Sequence, residues 1–207
     1  MTTSLDLQAV IEARFASSTT VPIEFFEEQA GRIAQACWAM ARRFHRGGRL
    51  IAFGDGSAAT DAQHVSVEFV HPVIVGKRAL PAIALTNDSA TLTGLACSGE
   101  YETAFARQLG VLGRPEDMAL AISPDGRDTG VLTGLRQARA MELLTLGLSG
   151  GDGGPLAREP MDFCFVVPSD DPITVQETHE TLYHVLWELV HVFFEHEGLL
   201  EAVSTEP

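Results

Sequence analysis

The sequence predicts an α/β protein: a three-layer α/β/α sandwich on a five-stranded parallel sheet, with a helical extension in front. Three observations predict it. Five short apolar runs, Leu50 to Phe53, Ala82 to Leu85, Met118 to Ile122, Leu143 to Leu148 and Phe163 to Val167, alternate with segments of helical length. Continuous rather than alternating apolar runs mark strands buried on both faces. Helical connections between them are what parallel strands require.

The elements follow in order. Leu5, Val10, Ile11 and Phe15 form a short apolar helical stripe, and Ser17-Ser18-Thr19-Thr20 with Pro22 reads as a break. Phe25, Phe26, Ile33, Ala36, Cys37, Met40, Ala41 and Phe44 recur at i, i+3/4 and i+7, the pattern of a longer amphipathic helix ending at Gly47 and Gly48. The strands and their helices come next. A long helix from about Thr174 to Glu197 closes the chain, carrying Leu182, Val185, Leu186, Leu189, Val190, Phe193 and Phe194 on a wide apolar stripe. We expect residues 1–48 to be a helical region serving core packing and oligomerisation, residues 49–207 the sheet domain, and the two together one structural domain.

The bulk numbers exclude several classes of function. A chain of 207 residues with 45% hydrophobic and 20% charged residues has room for one large domain with a full core. A formal charge of −14 argues against nucleic acid or an anionic membrane as the partner. Cys37, Cys97 and Cys164 are odd in number and form no CxxC, so they read as buried thiols in a reducing compartment. No signal peptide and no span of ~20 apolar residues is visible, which predicts a soluble, cytoplasmic protein.

Ligands of open parallel sheets gather at the carboxyl ends of the strands, near helix N-termini. Four loops at such ends are rich in small residues: Gly54-Asp55-Gly56-Ser57-Ala58-Ala59, Thr86-Asn87-Asp88-Ser89, Ser123-Pro124-Asp125-Gly126-Arg127-Asp128-Thr129 and Ser149-Gly150-Gly151-Asp152-Gly153-Gly154. They point to a polar ligand, although glycines also serve simply to make tight turns. A dinucleotide fingerprint fits poorly: Ala59 is a tolerated variant of its third glycine, but about 50 residues of helix come first and no acidic residue clearly ends a second strand.

His64 and Glu68 lie one helical turn apart after the first loop, and Gln176, Glu177, His179 and His184 follow in Q-E-x-H-x4-H on the last helix. His64, Glu68, Gln176 and His184 would suit a borderline ion such as zinc. Gln176 and His184 are about 12 Å apart if fully helical, at ~1.5 Å per residue, so both must reach inward or Gln176 must precede the regular helix. Taken alone, these side chains read better as structural or incidental than as ligands, and His191 and His196 read as ordinary helix residues.

Together, GDGSAATDAQH, LPAIALTND, VLGRPEDMALAIS, LTLGLSGGDGG and VPSDDPITVQETHETLYH resemble the sugar isomerase (SIS) domain family, within it the phosphoheptose isomerases, over nearly the whole chain. The resemblance implies a SIS fold, a homotetramer with active sites between subunits, and conversion of a ketose phosphate to an aldose phosphate through an enediol. It implies Glu68 as the base between C1 and C2, His184 as acid–base partner on the oxygens, and one Zn2+ per subunit on His64, Glu68, Gln176 and His184. Substrate contacts fall at Asp55, Gly56, Ser57, Ala58, Asn87, Asp88, Ser123, Asp125, Arg127, Asp128 and Gln176.

The sequence departs from the family at the expected phosphate loop. A family serine falls at Ala58, beside Ser57, and a hydroxyl-rich loop becomes Ser123-Pro124-Asp125-Gly126-Arg127-Asp128. Pro124 removes a backbone donor, and Asp125 and Asp128 replace hydroxyls with carboxylates, which Arg127 offsets only by turning inward. Ala96-Cys97-Ser98, Pro72 and Ile173 replace further polar family residues. Two alternatives therefore stand beside the sugar-phosphate isomerase. One is an isomerase with an altered, non-phosphorylated or cationic substrate. The other is a non-catalytic interaction or sensor protein like the replication initiator-associating protein.

Overall fold

The structure, a computed structural model, describes residues 6–196 and Gly198. Its element order is α1 (Leu7–His45), β1 (Leu50–Gly54), α2 (Ser57–Val70), β2 (Ala82–Ala84), α3 (Ser89–Cys97), α4 (Ala104–Leu112), β3 (Met118–Ile122), α5 (Thr129–Ala140), β4 (Leu144–Gly150), β5 (Phe163–Val167) and α6 (Pro172–Glu195). All strand pairs are parallel, in the order β2-β1-β3-β4-β5. The three-layer α/β/α sandwich with its five-stranded parallel sheet is therefore present. So is the long N-terminal helix.

Side-chain alternation along the strands splits the core in two. Leu50, Ala52, Leu120, Ile122, Leu146 and Leu148 face a cluster built with Phe25, Ile33, Met40 and Phe44 of α1, Val65 and Phe69 of α2, and Leu182, Leu186 and Val190 of α6. Ile51, Phe53, Ala119 and Ala121 face Phe105 and Leu109 of α4 and Val131 and Leu135 of α5. Helices α1, α2 and α6 thus share one face of the sheet, and the candidate ligands on α2 and α6 come from that shared layer.

The expected break before Pro22 is absent: α1 is one helix of 39 residues with Pro22 inside it. Proline removes one backbone donor, and the Thr19 hydroxyl folds back onto the Phe15 and Ala16 carbonyls one turn earlier. Tertiary contacts offset the remaining cost. Arg14 pairs with Asp171, the N-cap of α6, and Ser17 Oγ lies 3.1 Å from Thr174 Oγ1. Leu5 and Glu197 lie outside the described residues, and Val10, Ile11 and Phe15 are exposed. Of the cysteines only Cys37 is buried; Cys97 is exposed, because α3 buries none of its residues. His191 is no ordinary surface residue either: it is buried, with Nδ1 2.8 Å from the Trp187 carbonyl and Nε2 2.8 Å from that of Arg78.

Candidate active site

The strand order reverses at β1, which lies between β2 and β3, so β1 and β3 send their loops to opposite sides of one crevice at the carboxyl edge. The β1 loop passes through Gly56, whose φ of +58° and ψ of −124° belong to a region only glycine visits freely. No side chain among the described residues caps α2 behind it. Ala58, buried under Gly54, carries no hydroxyl, whereas Ser57 is exposed at the first turn of α2.

The loop after β3 is locked to the loop after β4, which explains the two glycine-rich segments. A Cβ on Gly126 (φ +69°) would stand 2.0 Å from the Gly153 carbonyl oxygen. Pro124, Asp125, Arg127, Gly150, Gly151, Asp152, Asp170 and Val175 line a small cavity of about 140 Å³ there. Arg127 does not neutralise Asp125; its Nη2 bonds Asp152 at 3.0 Å, while its backbone N–H donates to Asp125 Oδ1 at 3.0 Å.

Asp128 is the N-cap of α5, accepting from the Val131 N–H at 2.8 Å, and its own N–H faces buried Ser123 Oγ at 3.4 Å. Asp55 approaches the same place from the β1 loop. A Cβ on Gly130 would lie 3.3 Å from Asp128 Oδ1 and 3.4 Å from Asp55 Oδ2. Burial first, and then the neighbouring Asp128 carboxylate, hold the Asp55 carboxyl above its ordinary range, against a hydrogen bond from Tyr101 that lowers it. The same hydrogen bond pushes the Tyr101 phenol up to about 12. Asn87 ends a short helical turn after β2 whose Thr86 hydroxyl reaches the Ala59 carbonyl at 3.4 Å, which keeps that loop beside α2, whereas Asp88 turns to α3. Asp88 caps α3 through the Thr91 N–H and hydroxyl, and lines a separate 450 Å³ cavity between α3 and α4 with Arg107 and Val111.

Deeper along α2, the acid–base residues converge. Val65 and Phe69 anchor α2 in the core, which turns His64 and Glu68 toward α6. One ligand atom each from His64, Glu68 and His184 lies within 4.8 Å of the others. Glu68 is 9% exposed, His64 half-buried and His184 exposed, so the group is open on one side. His64 Nε2 lies 3.3 Å from Glu68 Oε1. Gln176 sits within regular α6 rather than before it, and its side-chain nitrogen donates to Asp61 Oδ1 at 3.0 Å. Asp61 is 5% exposed; burial raises its pKa, and Oδ2 has no hydrogen-bond partner among the described residues.

Sequence reading missed four participants: Asp61, Tyr101, Glu180 and Tyr183. Tyr183 is buried, its hydroxyl 2.8 Å from His64 Nδ1, with Glu180 Oε1 3.4 Å from the same nitrogen. Burial, with Asp61, Glu180 and Glu68 nearby, drives the Tyr183 phenol well above its usual range. The signal was available: Gln176, Glu180, Tyr183 and His184 recur at i, i+4, i+7 and i+8, one face of a helix.

Two imidazoles and a carboxylate, with Asp61 and Glu180 adding negative charge nearby, fit a borderline divalent cation. The donor set and spacing therefore suit a metal.

The SIS domain family profile matches residues 15–150. The phosphoheptose isomerase of Roseiflexus sp. (strain RS-1) is 40% identical over 174 residues, 84% of this chain and 88% of that one. This chain belongs to the phosphoheptose isomerase family of SIS-domain proteins. Another family member, from Aquifex aeolicus, is 38% identical over 85% of this chain and 92% of its own. The solved phosphoheptose isomerase of Francisella tularensis superposes with a TM-score of 0.85 at 31% identity, covering 90% of this chain and 99% of that one. GmhA of Neisseria gonorrhoeae superposes at 0.82, with 28% identity over 89% and 98% of the two chains. As a member of this family the chain is an isomerase with an intramolecular oxidoreductase chemistry. No helix among the described residues is long and apolar enough to cross a membrane.

Proposed function

We propose that this protein interconverts D-sedoheptulose 7-phosphate and D-glycero-D-manno-heptose 7-phosphate by proton transfer through an enediol. The convergence of His64, Glu68 and His184 from two helices carries the reading. Glu68 takes the proton from one carbon and returns it to the other. A carboxylate held at one place by α2 can serve both carbons, which are neighbours. His184, exposed at the mouth of the group, moves protons on and off the two oxygens. Zn2+ is the metal we assign to His64, Glu68, Gln176 and His184, where it would supply charge stabilisation to the enediolate oxygens. Glu68 has two carboxylate oxygens, so holding a cation with one leaves the other for proton transfer.

Substrate contacts on this reading come from the β1 and β3 loops, where the uncapped N-terminus of α2 offers backbone donors to an anion. Glu68 lies eleven residues beyond the start of α2, about 17 Å away at ~1.5 Å per residue. That separation supports a homotetramer in which loops and acid–base group of different subunits meet. Exposed Val10, Ile11, Phe15, Val67, Val70 and Val75 give it apolar contact surface. On this view residues 1–48 serve assembly, residues 49–207 are the SIS domain, and the free thiols fit the cytoplasm.

Incubation with sedoheptulose 7-phosphate in D2O tests the reaction. Aldose product with deuterium at C2 is expected from wild type and none from Glu68→Gln; no turnover with zinc present refutes the assigned substrate. One observation favours a second reading of the substrate. Asp55 and Asp128 share the crevice where a phosphate would sit, which suits a sugar with an uncharged or cationic end. The retained acid–base pair disfavours the non-catalytic reading.

A further inference from the structure

We infer that Tyr183 and Glu180 are positioning residues that fix the tautomer of His64 for metal binding, an inference that rests on the metal reading above. A neutral imidazole has one N–H and one lone pair. One ring nitrogen of His64 belongs to the group with Glu68 and His184, and Nε2 is the one that faces Glu68, with Oε1 at 3.3 Å, so Nε2 is the atom that would present its lone pair to a cation. The single proton then sits on Nδ1. The Tyr183 hydroxyl oxygen accepts it there at 2.8 Å, and the Glu180 carboxylate stands beside it, with Oε1 3.4 Å from Nδ1, near enough to attract the proton electrostatically. A partner on the far ring nitrogen both holds the ring plane and raises ligand basicity.

The two partners do different work. A hydroxyl both donates and accepts, whereas an ionised carboxylate only accepts. Tyr183 alone would also tolerate the other tautomer, in which its O–H donates to Nδ1 and Nε2–H faces Glu68. Glu180 breaks that symmetry, since it attracts only an Nδ1 that carries a proton. The rings reinforce the arrangement: His64, Tyr183 and His184 stand mutually edge-on, with centroids 5.1–5.2 Å apart. Tyr183 is fully buried on α6 between Leu182 and Leu186 of the core, so its hydroxyl has little freedom to leave. Glu180 is 47% exposed at its side chain, and it is the contact with His64 that ties it to the group.

Zinc and cobalt titration of wild type, Tyr183→Phe, Glu180→Gln and a His64→Ala reference tests the inference. Each of the first two substitutions is expected to weaken Zn2+ binding by about 10- to 100-fold, with an altered Co2+ visible spectrum. Long-range 1H–15N spectra of the zinc-free wild type should show His64 protonated on Nδ1, and those of zinc-free Glu180→Gln a mixture of the two tautomers, because the glutamine amide can donate to Nδ1. A merely structural role would move the melting temperature and leave that tautomer signal alone. If Tyr183→Phe and Glu180→Gln bind zinc like wild type while His64→Ala does not, the inference falls and the metal reading stands. If His64→Ala binds as wild type does, the metal reading falls and takes the inference with it.

Discussion

Replacing Asp128 with Ser, alone and with Asp55→Asn, asks whether this crevice is arranged against phosphate. Asp128 occupies the N-terminus of α5 with its own carboxylate, and Asp55 comes to the same place above Gly130. A unit charge of phosphate ~5 Å from a carboxylate is opposed by roughly 3 kcal/mol at an effective dielectric of ~20. Both aspartates are partly exposed, and screening reduces this to about 1–2 kcal/mol for each. Serine caps a helix about as well as aspartate, so α5 keeps its first turn. Asn keeps an oxygen for the Tyr101 hydroxyl, which now donates to Asp55. The single variant understates the effect, because the Asp55 carboxylate still stands in the crevice when Asp128 is gone. Removing both charges, about 2–4 kcal/mol together, is expected to lower KM for sedoheptulose 7-phosphate by about 30- to 900-fold at unchanged kcat, and to tighten inhibition by inorganic phosphate in parallel. Steady-state kinetics with both ligands at fixed ionic strength make the measurement. An unchanged or raised KM in the double variant, with its melting temperature within a few degrees of wild type, refutes the reasoning.

Other consequences are equally open to measurement. Glu68→Gln should lower kcat by ~10²–10⁴ with little change in melting temperature, read by the same assay and by thermal unfolding. His179 is completely buried, and burial lowers it from 6.5 to about 4. The unfolded chain therefore takes a proton between those values that the native protein refuses, so stability is level above pH 6.5 and falls by up to about 3 kcal/mol as pH drops toward 4. Urea unfolding from pH 7.5 to 4.5 should show this slope, and His179→Gln should flatten it. Gly126→Ala drives a methyl into the Gly153 carbonyl at a positive φ, which should cost at least ~2 kcal/mol and weaken sugar binding, read by urea unfolding and titration.

The sheet was legible because burial on both faces leaves little choice of residue. Each apolar run became a strand within two residues of its predicted ends, and β4 ran on through Ser149 and Gly150, which carry no apolar signal. Pro22 misled because a local rule about helix interiors ignores the support that Arg14 and Ser17 bring from α6. Cys97 misled because cysteine is a common core residue, and nothing in Ser89–Cys97 announces a helix lying on the surface. His64, Glu68 and His184 were found through their spacing and the family resemblance. Tyr183 and Glu180 were not, since partners of a ligand answer to a distance across two helices. Likewise, nothing in the spacing of Asp55 and Asp128 says that their oxygens share one small site; that follows only from β1 and β3 lying side by side.

The two halves of the site rest on different physical supports, and this bears on which half has changed. His64 and Glu68 alternate along α2 with Val65 and Phe69, and His184 follows Leu182 and Tyr183 on α6, so the acid–base group is set by the same packing that holds the sheet layer together. Displacing one of these side chains disturbs the core, at a cost of ~2–5 kcal/mol for a large buried residue. Asp125 and Arg127 sit exposed in a loop whose backbone is fixed by glycines, and they can be exchanged with little loss of stability. Pro124, Asp125 and Asp128 stand in that loop where the resemblance implies hydroxyls, so they bear on what the crevice binds rather than on what Glu68 and His184 can do. A change of substrate is therefore the divergence this architecture permits most readily, and the response of KM to Asp55 and Asp128 tests whether one has occurred.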